Sequence, residues 1–170
     1  SVVRTLLGRG LVTEVDTDPE TGAILYGTTE LLLTNLGINS PDELPHISPL
    51  LDDARIRIVF TGAGTSSYIG GCLAPSVACH LDRRVDSIAT TDLVSGPQLY
   101  LQREVPTLLV SFARSGGSPE SVAAVEVAER AVDRVFHLVI TCNAEGALAQ
   151  RMAGARNACV LVLPDATNDR

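Results

Sequence analysis

Short apolar runs recur along the chain from residue 55 onward, and the stretches between them have helical patterning. Each run has the length of a strand and is apolar on both faces, which is typical of a parallel sheet covered by helices. This alternation predicts an α/β fold with a doubly wound, five-stranded parallel sheet in the order 2-1-3-4-5. The predicted strands are Arg55 to Phe60, Val85 to Ala89, Thr107 to Phe112, Phe136 to Thr141 and Cys159 to Leu163.

Residues 1–53 have a different pattern. A short helix (Val2 to Leu7) precedes two strands (Leu11 to Val15 and Ala23 to Tyr26) joined by a turn, and a leucine-rich helix (Glu30 to Leu36) follows. This order corresponds to the back half of a winged helix. We therefore predict two parts: a partial winged-helix segment at 1–53 and an α/β domain at 54–170.

Charge supports this division. Nine acidic residues and two arginines within residues 1–53 account for the whole net charge of -7, and residues 54–170 are neutral overall. The composition, 45% hydrophobic and 19% charged over 170 residues, is sufficient for one packed core. All 13 basic residues are arginines, which excludes Schiff-base lysine chemistry and a phosphate loop that depends on lysine.

The cysteines and the apolar runs bear on compartment and metal binding. Cys72, Cys79, Cys142 and Cys159 have no CxxC spacing and stand among apolar residues, so we predict buried reduced thiols and no metal site. No run is long enough to cross a bilayer, and the amino terminus has no signal-peptide pattern. We expect a cytoplasmic protein without membrane association.

Two loops carry the candidate chemistry. TGAGTSS (Thr61 to Ser67) follows the first strand, and ARSGGS (Ala113 to Ser118) follows the third. In the predicted strand order these strands are neighbours, so both loops should face one crevice at their carboxyl ends. Small, glycine-containing loops before helices expose backbone N–H groups to an anion. We predict a phosphate site formed by Ser66, Ser115 and Ser118, assisted by Thr65 and loop amides, with Arg114 as the nearby cation.

Two alternatives explain the same loops. The serines could simply cap helices, and Ser118 followed by Pro119 has the pattern of a helix start. A dinucleotide site is less consistent with the residues, because Ser67 stands where GxGxxG requires its third glycine. We weigh phosphate binding above both, since capping needs one hydroxyl per helix and these loops supply more.

Residues 54–170 resemble the first sugar isomerase (SIS) module of bacterial tagatose-phosphate ketose/aldose isomerases, also described as galactosamine-6-phosphate deaminase/isomerases. The resemblance is carried by FTGAGTSSYIG, ATTDLVSGPQLYL, LLVSFARSGGSPESVAAVE, HLVITCN and LPDATNDR. It implies a flavodoxin-like strand order and a sugar phosphate bound by Ser66, Ser115 and Ser118, with Arg114 lining the pocket. Ala113 stands where related modules carry another serine.

The resemblance also implies a reaction, in which a base moves a proton between adjacent sugar carbons and, in a deaminase, the amino group leaves. No cofactor is implied. Such chemistry needs a carboxylate or histidine with a near-neutral pKa. We can match no catalytic base: Glu120 is interpreted as a helix-dipole acid, and His46, His80 and His137 as structural or surface residues. Asp169 could approach the pocket from the loop after the fifth strand.

Residues 1–52 resemble the second winged helix of bacterial segregation and condensation protein B, in LLGRGLVTEV, ILYGTTELLL and LGINSPDELP. That family implies partner binding within the condensin complex. Ser1 falls inside a helical pattern and Arg170 directly follows a strand, so we expect the chain to be truncated at both ends.

Three functions follow as hypotheses. The first is a phosphosugar isomerase or deaminase that acts as a homo-oligomer, in which identical chains complete the pocket. The second is a phosphosugar sensor without catalysis. The third is a condensin-associated protein acting through residues 1–53, whose negative charge argues against contact with nucleic acid.

Overall fold

Two units make up the structure, a computed structural model that describes residues 4, 7–36, 40 and 53–163. The division is between Ser1–Leu44 and Pro45–Arg170. Within the described residues, no helix is long and apolar enough to span a bilayer.

The first unit contains a β-hairpin followed by a helix. Strand β1 (Val12–Thr17) pairs antiparallel with β2 (Ile24–Thr28), and helix α1 spans Glu30–Leu36. The hairpin turn is built on Asp18, whose carboxylate accepts the backbone N–H groups of Glu20 and Thr21 at 2.8 and 3.3 Å. These donors lower the pKa of the Asp18 carboxyl. The predicted strands and the leucine-rich helix are thus present, and the remaining prediction for Val2 to Leu7 lies mostly outside the described residues.

The second unit is built on five parallel strands in the order β4-β3-β5-β6-β7. In chain order within this unit that is 2-1-3-4-5, as predicted from the alternating pattern. The strands are β3 (Arg57–Gly62), β4 (Arg84–Ser87), β5 (Thr107–Ala113), β6 (Val135–Thr141) and β7 (Ala158–Val162). The helices are α2 (Ser66–Leu81), α3 (Thr90–Ser95), α4 (Pro97–Tyr100), α5 (Pro119–Ala131) and α6 (Ala147–Met152).

The two faces of this sheet are covered unequally. On one face, Val59, Leu109 and Val139 pack in a cluster with side chains from α3, α5 and α6. On the other face, Ile58, Phe60, Val110 and Phe112 pack against Ala74 and Val77 of α2, and the rings of Phe60 and Phe112 meet edge to face with centroids 5.6 Å apart. Within the described residues α2 alone contributes a helix to this second cluster. The alternating exposure along β6, in which Phe136, Leu138 and Ile140 are only half-buried, follows from that incomplete cover.

An ion pair between a buried arginine and a partly exposed aspartate lies beside the amino-terminal end of β3. Arg57 Nε lies 2.6 Å from Asp86 Oδ2 on the neighbouring strand, and the Arg57 guanidinium also donates to the carbonyl oxygen of Tyr100. Because both partners are ordered by strand pairing and Arg57 has a second acceptor, the cost of burying the guanidinium is offset. The ion pair lies at the end of β3 opposite the serine loop.

The cysteines differ from the prediction. None of the four forms a disulfide, but Cys72 and Cys79 are exposed on α2, and Cys142 and Cys159 are only partly buried. The expectation of buried thiols was wrong for Cys72 and Cys79, because it took the apolar residues around them as core. Those residues lie on a helix whose outer side has little cover.

His137 is a fully buried imidazole in β6, and neither ring nitrogen has a hydrogen-bond partner among the described residues. Its nearest charged group is Glu129 of α5, whose carboxylate oxygen lies 3.9 Å from Nε2. Burial lowers the pKa of His137 because it disfavours the charged ring, and the attraction of Glu129 only partly compensates. The structural role expected for this histidine agrees with its position, away from both serine loops.

The buried imidazole predicts a pH dependence of stability. Below about pH 6.5 the unfolded chain takes up the His137 proton before the folded chain does, so the free energy of unfolding falls as the pH drops from 6.5 toward the lowered pKa. The decrease is at most about 1.4 kcal/mol per pH unit, and the contribution is constant above pH 6.5. We expect His137→Leu to flatten this acid-side decrease in urea unfolding measured between pH 7.5 and 5. If the free energy of unfolding fell equally with pH in the unmodified chain and in the variant, His137 would not be the group responsible.

Candidate functional site

The two serine loops meet at one cleft at the carboxyl ends of β3 and β5. These strands are direct neighbours, and Gly62 at the end of β3 pairs with Phe112 near the end of β5. The cleft has a volume of about 430 Å³ and is lined by residues of both loops, as the predicted strand order required. Its lining is Ala63, Thr65, Ser66, Ile69, Phe112, Ala113, Arg114, Ser115, Gly116, Ser118, Ser121, Ile140, Cys142 and Leu163.

The first loop turns sharply from β3 into α2. A Cβ on Gly62 would lie 2.6 Å from the carbonyl carbon of Ser66, and Gly64 has a φ of +56°, so both positions favour glycine. Thr65 precedes the helix and its hydroxyl makes no capping hydrogen bond. Among the described residues the hydroxyls of Thr65 and Ser66 have no partner, and the N–H groups of Gly64 and Thr65 are also free. The N–H groups of Ser66, Ser67 and Tyr68 in the first turn of α2 donate to the carbonyl oxygens of the preceding loop. The donors left at this loop are therefore the two hydroxyls and the N–H groups that precede the helix, beside the positive end of its dipole.

The second loop makes a similar turn from β5 into α5. Gly116 adopts a φ of +64°, and the N–H of Gly117 donates to Ser115 Oγ over 3.4 Å. Ser118 occupies the capping position of α5, with Pro119 as the first helical residue, as the pattern indicated. The capping hydrogen bond itself is absent, because Ser118 Oγ is instead 2.7 Å from Ser121 Oγ in the first turn of the helix. Both serines of this pair line the cleft.

Arg114 is the one charged side chain in the described lining of the cleft. Its guanidinium forms no ion pair with any described residue. Carboxylates and imidazoles are absent from the same described lining, so the formal charge of the cleft lining is positive. Hydroxyls, backbone N–H groups, a helix amino terminus and one guanidinium form an arrangement that can bind an anion.

The other residues weighed from the sequence lie elsewhere. Glu120 is exposed in the first turn of α5 and does not line the cleft. His80 is exposed near the end of α2, with Nδ1 2.7 Å from the carbonyl oxygen of Ser76. His46 and Asp169 lie outside the described residues. Ala113 lines the cleft and supplies no hydroxyl there.

A third loop, between β6 and α6, was not singled out from the sequence. Asn143 Nδ2 donates to the carbonyl oxygen of Ser115 over 3.1 Å. A Cβ on Gly146 would collide with that same oxygen, so the third loop is in direct backbone contact with the second. The stretch from Asn143 to Gly146 has the residue types of an Asx turn, which could have indicated the loop but not its contact with the second loop.

Comparison with known proteins finds a family model that matches each part. The family model "SIS domain" matches residues 50–162. The family model "Segregation and condensation complex subunit ScpB" matches residues 1–47. Both resemblances seen in the sequence are thereby confirmed.

Among curated proteins, D-galactosamine-6-phosphate deaminase AgaS of Shewanella sp. is 50% identical over 126 residues, which cover 72% of this chain and 33% of that protein. The Escherichia coli protein of the same name is 49% identical over 124 residues, which cover 73% of this chain and 32% of that protein. The crystal structure of tagatose-6-phosphate ketose/aldose isomerase from Escherichia coli matches with a TM-score of 0.70 and 49% identity, over 72% of this chain and 34% of that one. The chain therefore spans about a third of the length of these relatives.

The backbone contact at Gly146 predicts a specific cost of substitution. Because a methyl group there has only backbone atoms to displace, we expect Gly146→Ala to lower the free energy of unfolding by about 1–3 kcal/mol. Gly71→Ala is the matched control, since a Cβ at Gly71 meets nothing within 4 Å and the position is helical. The control should be stabilised by about 0.5–1 kcal/mol. Urea unfolding of both variants at one protein concentration measures the difference, and equal effects would contradict it.

Proposed function

The chain belongs to the SIS domain family, and we propose on that basis that its serine-lined cleft binds the phosphate group of a sugar phosphate. The observation that carries this proposal is the convergence on one cleft of two loops, each of which keeps an N–H group and a hydroxyl proton without a partner among the described residues. Relatives named as galactosamine-6-phosphate deaminase and tagatose-6-phosphate isomerase support a hexose 6-phosphate, aminated or not, as the ligand.

In the proposed complex, the phosphate is bound from two sides. The hydroxyls of Ser66 and Thr65 and the N–H of Thr65 donate from one loop, and Ser115 and the amide of Gly116 donate from the other. Arg114 compensates the negative charge. Ser118 contributes through its pair with Ser121, because a hydroxyl that accepts a hydrogen bond from Ser121 still has its own proton to donate. Hydrogen bonds to a charged phosphate are stronger than those between neutral groups, so lysine is not required.

We propose that the reaction supported is isomerisation or deamination of the bound sugar, through proton transfer between adjacent carbons. That step needs a general base within hydrogen-bonding reach of the substrate. The described lining has no carboxylate or imidazole, so the base has to come from outside this lining. The same observation favours a second candidate function, a sensor that binds the sugar phosphate without turnover.

We further propose that identical chains pair through the outer face of α2. Residues 66–79 include no charged side chain, yet only Gly70 and Ala74 of this helix are buried. Tyr68 is 72% exposed, and Ile69, Leu73 and Leu81 are between 42% and 50% exposed. A helix that is apolar all round is normally covered on all sides. Because α2 begins at Ser66, a chain packed there would also lie beside the cleft and could supply the missing base.

The cytoplasm is the proposed location. None of the four cysteines forms a disulfide and two are exposed, which suits a compartment that keeps thiols reduced.

Ligand binding is tested by thermal unfolding with galactosamine 6-phosphate and with tagatose 6-phosphate. A ligand at one hundred times its dissociation constant should add about 2.7 kcal/mol to the free energy of unfolding. Ser66→Ala and Ser115→Ala should each weaken binding about tenfold to a hundredfold, since each removes a hydrogen bond to a charged group. Ser95→Ala is the control, because Ser95 Oγ bonds the carbonyl oxygen of Thr91 within α3, whose residues do not line the cleft.

No stabilisation by either sugar phosphate, or equal affinity in all three variants, would overturn the binding proposal. Assays for isomerisation and ammonia release on the same samples then separate the two functions. Binding with turnover supports the enzyme, and binding without turnover supports the sensor.

Pairing is tested by sedimentation velocity over a range of protein concentrations. Tyr68→Glu should shift the chain to the monomer, because it places a charge in the apolar face proposed to be covered. Leu99→Glu is the matched control: Leu99 is 77% exposed on α4, outside that face, so its variant should sediment like the unmodified chain. A monomer at every concentration for the unmodified chain would rule out the pairing.

A further inference from the structure

Three consecutive carbonyl groups of the second serine loop point toward the third loop. Each of them accepts a hydrogen bond from the segment between residues 142 and 148. The bonds are Cys142 N to Arg114 O at 3.2 Å, Asn143 Nδ2 to Ser115 O at 3.1 Å and Leu148 N to Gly116 O at 2.9 Å. The second loop is therefore bound along its length by its neighbour.

This pattern determines where the amides of the second loop point. In a trans peptide the N–H lies opposite the C=O, and the described residues contain no cis peptide. With the carbonyl of Ser115 turned toward the third loop, the N–H of Gly116 points away from it. That N–H has no partner among the described residues, and Gly116 lines the cleft. Successive amides around a residue with positive φ form an anion-binding concavity, and Gly116 has that conformation.

Asn143 is the one side chain among these three donors, and its own orientation is fixed. Its Oδ1 accepts the N–H of Glu145 at 3.0 Å, and its backbone N–H donates to Thr141 Oγ1 over 3.2 Å. With Oδ1 bound to a donor, the amide nitrogen is directed to the carbonyl of Ser115. Asn143 does not line the cleft, so it acts on the site only through the second loop.

We propose that Asn143 is a positioning residue of the phosphate site, which orients the peptide between Ser115 and Gly116 so that its N–H faces the anion. This inference rests on the proposed function. Without the Asn143 amide, the Ser115 carbonyl loses its hydrogen-bond donor, and the peptide is free to rotate its oxygen toward the cleft. A carbonyl oxygen there would repel a phosphate, whereas the N–H attracts it.

The test compares Asn143→Ala and Asn143→Ser with Asn157→Ala, using inorganic phosphate and galactosamine 6-phosphate as probes. Serine at position 143 can still accept the Glu145 amide but is too short to reach Ser115, and it adds no charge. Asn157 is the matched control, because its Nδ2 donates to the carbonyl oxygen of Val135 over 3.1 Å at the opposite end of β6. Calorimetry gives the dissociation constants, and the amide resonance of Gly116 reports its response to phosphate.

We expect both Asn143 variants to bind the two probes about threefold to tenfold more weakly, because that is the effect of losing one hydrogen bond. The shift of the Gly116 amide resonance on addition of phosphate should also be smaller than in the unmodified chain. Asn157→Ala should bind both probes like the unmodified chain, even where it lowers the melting temperature as much as the Asn143 variants do. Unchanged binding in the Asn143 variants, or equal weakening in Asn157→Ala, would overturn the inference while the proposed function stands. If the unmodified chain binds neither probe, the proposed function itself is wrong and the inference is withdrawn with it.

Discussion

The cleft exists because the helices that follow two neighbouring strands lie on opposite faces of the sheet. The chain leaves β3 into α2, which packs on the face of Phe60 and Val110, and leaves β5 into α5, which packs on the face of Val59 and Leu109. Right-handed crossovers from adjacent parallel strands allow this only at the point where the winding direction reverses. Between the two departing chains the carboxyl ends of the strands stay uncovered, and the serine loops face each other there. The hydrogen-bond donors of both loops face one cleft only because of this arrangement of the helices.

Close backbone packing then converts the opening into a binding site. Gly62 lets the first loop fold back on Ser66, and Gly146 lets the third loop lie against the second. These contacts leave the hydroxyls of Thr65 and Ser66 without partners among the described residues. Because backbone N–H groups and the Asn143 side chain already satisfy the carbonyls of the second loop, the polar groups that remain free at the cleft are mostly donors. A site with an excess of donors and one guanidinium selects an anion by its charge.

Much of this could be predicted from local sequence and topology. Apolar runs marked the five parallel strands, and the strand order was sufficient to bring Ser66 and Ser115 to one cleft. The predictions failed where they needed the contacts or the burial of a particular side chain. The hydroxyl of Ser118 pairs with Ser121 in place of a capping bond, and Cys72 and Cys79 are exposed because little covers the outer side of α2. Asn143 was missed because its contact with Ser115 spans 28 residues and follows only from the pairing of β5 with β6.

The unequal cover of the sheet links the binding site to the proposed assembly. One face carries α3, α5 and α6, and the other carries α2 with half-buried side chains of β6 beside it. Ile69 and Ile140 belong both to this second, poorly covered side and to the lining of the cleft. In the proposed pairing, a chain that covers this apolar surface would therefore also lie at the cleft. Burial of the surface would supply the free energy of association, and the same contact would exclude water from a bound phosphate and strengthen its hydrogen bonds. The two proposals are thus physically linked, because the side that lacks cover is also the side from which a group for proton transfer can reach the cleft.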